Sequence, residues 1–300
     1  MTKNKTNKAI FVTLVAFAAF SVSDGLRKFI SQDYAVIDIL FWQAVCGLGF
    51  VCIAVPFMGG VKSLFNVKTL KWQLLRGCFF ALNTTCSLHA ISRIPMMDAY
   101  TIFFLTPFVV SIVAAIIFKE AIGKYRGFSI TCGFVGAFIA FRPGFEAINP
   151  AYFYALACVF LYSFASLIAR YIGRDNGLLS FAFWPFLCLI CGILIYKGGQ
   201  IPPLHNMEFF LYMAAIGAAY GVALILISYG YTLAAVAVVA PYQYVQIIFA
   251  LGIDYFLWAS IPDFYKIVGS SIIVGAGVFL FVRERMNKQG SDIVVEDNVS

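Results

Sequence analysis

The chain places polar side chains at helical spacing inside long apolar segments. Gln243, Gln246 and Asp254 fall within an arc of about 80° on one helix, because successive helical residues turn by about 100°. Polar groups are costly inside a bilayer, so such stripes mark candidate binding positions. Three further stripes are Arg76, Asn83 and Ser87; Ser21, Asp24 and Lys28; and Tyr162, Ser163 and Ser166. We therefore expect a water-accessible cavity that collects all four stripes.

The stripes and the deeper tyrosines together give a set of candidate substrate-binding residues. Tyrosine faces attract organic cations and stack on flat rings. With a carboxylate nearby, such a lining suits a zwitterionic, cationic or heteroaromatic metabolite. The candidates are Asp24, Asn83, Tyr162, Ser166, Tyr220, Tyr242, Gln243 and Gln246.

Each stripe also has a purely structural interpretation, in which polar groups pair across packed helices. Asp24 and Lys28 can pair with each other, since they lie four residues apart. Asp98 and Asp254 lie near a membrane boundary, where water can solvate them. Pro107 and Pro241 lie within apolar segments and are candidate hinges, because proline removes a helical hydrogen bond.

The composition predicts a polytopic membrane protein. Hydrophobic residues make up 62% of the 300 residues and charged residues 12%, whereas soluble domains carry about 25% charged residues. The charges form short clusters between apolar segments of about 20 residues, the length that crosses a bilayer. No basic face favours nucleic acid, and no G-x-x-x-x-G-K-[ST] motif favours ATP hydrolysis by that route. We predict no cofactor and no metal ion.

The apolar segments predict an all-α fold of ten transmembrane helices, five in each half of the chain. Arg126–Gly133 is echoed by Val268–Gly275, and several other positions repeat at nearly the same offset. Because five is odd, the second repeat enters the membrane inverted, as in many secondary transporters. The predicted repeats are residues 1–148 and 149–286, followed by a disordered cytoplasmic tail at 287–300. The predicted spans are 9–30, 35–57, 70–91, 95–118, 127–141, 150–170, 178–196, 207–230, 236–258 and 264–282.

The distribution of basic residues predicts the orientation. Of the 21 Lys and Arg residues, fourteen fall on the side of the N-terminus and six on the other, with Arg76 inside a helix. By the positive-inside rule, both termini are cytoplasmic. In a bacterial cell this corresponds to a multi-pass protein of the inner membrane.

An intramembrane enzyme is the rival class, but the sequence gives it little support. Gly252-Ile253-Asp254 does not form the Gly-x-Gly-Asp motif of intramembrane aspartyl proteases, and Asp24 follows a serine, not a tyrosine. We therefore expect no enzymatic activity.

Two short motifs resemble the EamA family of the drug/metabolite transporter superfamily. They are Ala240-Pro241-Tyr242-Gln243-Tyr244, followed by Ile261-Pro262-Asp263, and Ile94-Pro95-Met96-Met97-Asp98-Ala99, leading to Phe118-Lys119-Glu120. Ser260 departs from the family pattern, which usually has a glutamate before the last hairpin.

The resemblance implies alternating access around a cavity lined mainly by spans 1, 3, 4, 6, 8 and 9. Within the family the chain is similar to S-adenosylmethionine uptake transporters, and also to exporters of amino acids and metabolites. The expected function is secondary transport of a small metabolite by a monomer or homodimer in the lipid bilayer.

Overall fold

In the computed structural model, the part of the chain that is described consists of helices and connecting turns. The described residues are 3–57, 60–61, 64–65, 69–119, 123–142, 149–172, 179–233 and 240–297. The first half contains α1 (Lys3–Ile30), α2 (Val36–Ala54), α3 (Leu70–Ile91), α4 (Met96–Phe103), α5 (Thr106–Phe118) and α6 (Lys124–Phe141).

The second half contains the remaining helices. They are α7 (Ala151–Ile172), α8 (Ser180–Tyr196), α9 (Met207–Leu233), α10 (Gln246–Trp258) and α11 (Phe264–Asp297), with a short 3-10 helix at Ala240–Val245 before α10.

Among the described residues, six helical segments are long and apolar enough to cross a membrane, so this is a polytopic membrane protein. A seventh apolar helix, α8, is shorter. The six segments are Asn7–Ile30, Val36–Phe57, Met96–Ile117, Ala151–Ile172, Met207–Ile227 and Phe264–Arg283.

The segment predicted as the fourth span is interrupted, and the described part of the ninth begins with a 3-10 helix. Met96–Ile117 contains two helices, α4 and α5, with a turn at Phe104 and Leu105. Pro107 lies in the first turn of α5, where its missing N–H leaves no helical hydrogen bond unmade. Pro241 lies in the 3-10 helix that precedes α10. Pro107 therefore lies where a helix begins, and residues 236–239 of the predicted ninth span, directly before Pro241 and its neighbour Ala240, are outside the described residues.

Helices of the first half pack mainly on helices of the second half. The closest pairings are α1 with α9, α3 with α7, and α6 with α11, and α2 contacts both α8 and α9. Close approach depends on glycine: a Cβ at Gly217 of α9 would lie 2.6 Å from the backbone nitrogen of Gly47 in α2. On α11, a Cβ at Gly269 would lie 2.6 Å from the backbone nitrogen of Ala140 in α6.

Candidate functional site: a polar cavity between the two halves

A cavity of about 170 Å³ lies between the two halves of the bundle, with walls from α1, α3, α4, α7, α9 and α10 and from the segments adjoining them. Its lining combines aromatic rings with a small number of polar and charged groups. Six of the eight candidate binding residues line it, namely Asp24, Asn83, Tyr162, Tyr220, Gln243 and Gln246.

The other two candidates are near the cavity without lining it. Among the described residues, the cavity wall does not include Ser166 or Tyr242. Ser166 lies one helical turn beyond Tyr162 on α7. Tyr242 is half-buried and adjoins Gln243. Thr106, which precedes Pro107, also lines the cavity, so the interruption of the fourth predicted span lies at its wall.

A charged pair on α1 lies at the cavity wall. Asp24 accepts a hydrogen bond through Oδ1 from Nη2 of Arg27, one turn along the same helix. Its Oδ2 accepts a second hydrogen bond, of 2.6 Å, from the hydroxyl of Tyr100 in α4. The Tyr100 hydroxyl in turn lies 3.5 Å from Nε2 of Gln246 in α10. Asp24 therefore links the first, fourth and ninth predicted spans.

Arg27 packs against an aromatic ring in the second half of the chain. Its guanidinium lies over the ring of Tyr220 in α9, 5.2 Å from the ring centroid. Such cation–π contacts strengthen when the cation is removed from water, and only 1% of Arg27 is exposed. The cavity wall thus holds one buried cation and one buried anion in direct contact.

A second polar layer lies one turn further toward the end of the bundle at which α1 ends. Lys28 donates a hydrogen bond of 2.8 Å to Asp254 in α10, and the other oxygen of Asp254 accepts one of 2.9 Å from the backbone N–H of Met97. In place of the predicted pair of Lys28 with Asp24, the structure has two separate pairs, Asp24 with Arg27 and Lys28 with Asp254. Asp24 bonds to Arg27 and Tyr100, and Lys28 bridges to Asp254 in the second half.

A third layer lies at the same end of the bundle. Oδ2 of Asp98 lies 2.9 Å from Nζ of Lys266 and accepts a hydrogen bond of 2.8 Å from the hydroxyl of Tyr152. Asp98 and Asp254 are each only 2% exposed. The interpretation in which water solvates them at the membrane boundary is therefore wrong: each carboxylate is paired with a lysine from another helix.

The sequence profile of the EamA-like transporter family matches the chain twice, at residues 7–142 and 149–283. The chain belongs to the EamA-like transporter family. The resemblance in the two short motifs is confirmed, and the family is one of transporters, not of enzymes.

Several relatives resemble this EamA-like transporter over most of its length. Pseudopaline exporter CntI of Pseudomonas aeruginosa (strain UCBPP-PA14) is 24% identical over 275 residues, 90% of this chain and 95% of the relative. The S-adenosylmethionine uptake transporter of Rickettsia bellii (strain RML369-C) is 20% identical over 276 residues, 91% of this chain and 92% of the relative. Both names support transport of a metabolite in general.

A solved crystal structure has the same fold as this EamA-like transporter. It aligns with a TM-score of 0.67 and 15% sequence identity, covering 93% of this chain and 98% of the other.

The four predicted stripes do not include Arg27 and Tyr100 of this EamA-like transporter. Arg27 is three residues after Asp24, which places it on the same helical face by the rule of about 100° per residue. It also neighbours Lys28 near the end of a predicted span, where basic residues are typical of the membrane boundary. Tyr100 belongs to none of the four stripes, and the residues around it in the sequence do not indicate that it lines a cavity.

Proposed function

We propose that this protein is a secondary transporter that moves a small metabolite across the bacterial inner membrane by alternating access. The observation that carries the proposal is the cavity between the two halves, with Asp24 and Arg27 buried in its wall. Charged side chains inside membrane segments are rare and mark substrate or ion pathways. A paired acid and base beside aromatic rings gives a polar metabolite the contacts that lipid does not offer.

The pairing of helices supports two inverted repeats, 1–148 and 149–286. In two such repeats, α7 is the equivalent of α1 and α9 is the equivalent of α3. Exchange of the two repeats then turns the contact of α1 with α9 into the contact of α7 with α3, and both contacts are present. The contact of α6 with α11 is unchanged by this exchange, since these helices are the last of the two repeats and replace each other. The family match, once in each half, agrees with this division. Ten spans follow if each repeat contributes five.

Alternating access requires contacts that close one side of the cavity and can be broken. Lys28 with Asp254 and Asp98 with Lys266 join helices of the two halves, and both pairs lie beyond the cavity at one end of the bundle. With both termini cytoplasmic, this end faces away from the cytoplasm. We assign these two ion pairs to the outer closure of the cavity.

S-adenosylmethionine, or a related cationic or heteroaromatic metabolite, is the first candidate substrate. The uptake transporters of Rickettsia support it by name, and the aromatic lining with Asp24 suits a sulfonium and an adenine ring. The pseudopaline exporter favours the alternative, export of an amino acid or another metabolite.

A counterflow experiment tests the proposal. Purified protein is reconstituted into liposomes that contain unlabelled S-adenosylmethionine or an amino acid, and uptake of the labelled compound is followed. A carrier takes up label faster when unlabelled compound is inside, whereas a pore is indifferent to it. An Asp24→Asn variant should lose this stimulation, and an Asp33→Asn variant, altered at an exposed turn, should keep it. Failure of every compound to give counterflow would sink the proposal.

A further inference from the structure

Arg27 has hydrogen-bonding capacity that its protein neighbours do not use. Its Nη2 donates to Asp24, but Nε and Nη1 are buried and have no hydrogen-bond partner among the described residues. A guanidinium carries five N–H groups, and three of them belong to Nε and Nη1. Leaving charged donors buried and unsatisfied costs free energy, so such groups call for an explanation.

A second buried arginine provides the contrast. Arg76 of α3 is 5% exposed, yet its Nε donates to Gln73 at 3.3 Å and its Nη2 donates to the carbonyl oxygen of Phe181 at 3.0 Å. Arg76 does not belong to the cavity wall. Arg76, which joins helices away from the cavity, thus forms hydrogen bonds through both Nε and Nη2. Arg27, beside the cavity, forms one through Nη2 alone among the described residues.

We propose that Arg27 binds a carboxylate of the transported metabolite, and that Asp24 binds an ammonium group of the same molecule. This inference rests on the proposed function and names its substrate class, metabolites with an α-amino-acid head group. Guanidinium groups favour carboxylates, which they bind through charge-assisted hydrogen bonds. Arg27 can offer three N–H groups without releasing Asp24.

Charge balance favours a zwitterion over a simple anion or cation. Arg27 and Asp24 form a neutral pair, so a carboxylate alone would add an uncompensated buried charge, which is costly. A head group with both charges adds none. Asp24 accepts from Arg27 and Tyr100, and carboxylate oxygens retain further lone pairs for an ammonium.

The rest of the metabolite would contact the aromatic part of the wall. Phe17, Phe20, Phe80 and Tyr162 line the same cavity, and aromatic faces accept flat rings and organic cations. Because only 1% of Arg27 is exposed, the ligand reaches its free N–H groups after a change in cavity shape. Alternating access supplies such a change.

The rival explanation is that Arg27 only neutralises Asp24. The two explanations differ in one ratio, the affinity for an acid divided by the affinity for an analogue that lacks the carboxylate. Stability changes alone do not alter this ratio, since both ligands bind the same folded protein.

The experiment measures dissociation constants of the purified full-length protein by calorimetry. The probe pairs are S-adenosylmethionine with its decarboxylated analogue, and L-amino acids with their amides. In the wild type we expect the acid of at least one pair to bind about tenfold tighter, or more. In Arg27→Gln the ratio should fall to about one while the decarboxylated analogue still binds. Arg27→Lys should keep part of the preference, and Arg76→Gln, the matched loss of a buried arginine, should keep all of it.

Several outcomes would overturn the inference. A wild-type ratio near one in every pair, or tighter binding of the neutral analogues, removes it and leaves the transporter proposal standing. A preference that survives in Arg27→Gln assigns the carboxylate to other residues. If Arg27→Gln does not fold, the double variant Asp24→Asn with Arg27→Gln replaces it. The double variant leaves neither buried charge unpaired, and the same ratio of acid to analogue affinity is measured. If no acid and no analogue binds the wild type, this inference and the proposed function fail together.

Discussion

Lys28 and Asp254 are 226 residues apart in sequence, and their side chains lie 2.8 Å apart in a site that is almost closed to solvent. Asp254 also accepts from the backbone of Met97, so one carboxylate ties α1, α4 and α10 together. A buried ion pair contributes little when intact, but loss of one partner leaves an uncompensated charge.

Asp254→Asn should therefore destabilise the protein by about 3 kcal/mol. The measurement is thermal unfolding in detergent. Exchange of the two charges, Lys28→Asp with Asp254→Lys, should recover part of the loss, although the contact to Met97 is not restored. Asp33→Asn, at an exposed position, should change stability by less than about 0.5 kcal/mol. Equal stability of Asp254→Asn and wild type would contradict the pairing.

The two partners of Asp98 should differ in their effects. Tyr152→Phe removes one hydrogen bond to a charged acceptor and should cost about 1.5–3 kcal/mol. Lys266→Met leaves Asp98 buried without its countercharge and should cost more, about 3–5 kcal/mol. Tyr196→Phe, at a ring that is 80% exposed, is the control for loss of a hydroxyl. If Tyr152→Phe cost more stability than Lys266→Met, water would be screening the charge interaction between Lys266 and Asp98.

Two glycines of α11 should respond oppositely to alanine. A Cβ at Gly269 would meet the backbone of Gly136 and Ala140 in α6, which no side-chain rotation relieves. Gly269→Ala should cost about 1–3 kcal/mol. At Gly275 nothing lies within 4 Å of the added Cβ, so Gly275→Ala should be neutral or stabilising by up to about 1 kcal/mol. Thermal unfolding of the two variants side by side tests this, and similar changes in both would sink the packing argument.

Removal of the Tyr100 hydroxyl should impair transport more than stability. That hydroxyl donates to Asp24 and lies beside Gln246 at the cavity wall. Tyr100→Phe should lower counterflow by about tenfold, the equivalent of 1.4 kcal/mol. Tyr154→Phe changes a partly exposed ring that lies 5.2 Å from the ring of His89 and should transport as the wild type does. Full activity of Tyr100→Phe would exclude the hydroxyl from substrate recognition.

The predicted orientation can be tested by labelling single cysteines in a variant whose eight native cysteines are replaced. Gln200→Cys lies in the exposed segment between α8 and α9, and Met286→Cys is exposed on α11. A membrane-impermeant maleimide added to intact cells should label the first and not the second. Labelling of Met286→Cys alone would show the opposite orientation. Labelling of both would place the two positions on the same side of the membrane and contradict the assigned topology.

The periodic polar stripes could be predicted because helical geometry is local. Asp24, Asn83 and Gln246 were each identified from spacing on a single helix, and the structure brings all three to one cavity. The apolar lengths likewise predicted a polytopic helical protein, since the bilayer thickness sets the length of a span.

Pairing between distant helices could not be predicted in the same way. Lys28 and Asp98 bond to partners in the other half of the chain, which no local pattern specifies. The nearest local partner of Lys28 is Asp24, four residues away, but the structure pairs Lys28 with Asp254 and bonds Asp24 to Arg27 and Tyr100. The spacing of residues along one chain does not indicate which acid meets which base across the bundle.

The break between α4 and α5 has a consequence for the surroundings of this span. Where one helix stops at Phe103 and the next begins at Thr106, local contacts replace part of the regular ladder: the Leu105 N–H donates to the carbonyl of Ile102, and the Thr106 hydroxyl donates to the carbonyl of Phe103 at 2.6 Å. Backbone that departs from a regular helix is tolerated at membrane depth only where protein or a water-filled cavity surrounds it, since lipid offers no hydrogen bonds. The face that carries the break must therefore be turned to the protein interior, which leaves the opposite face to meet the acyl chains.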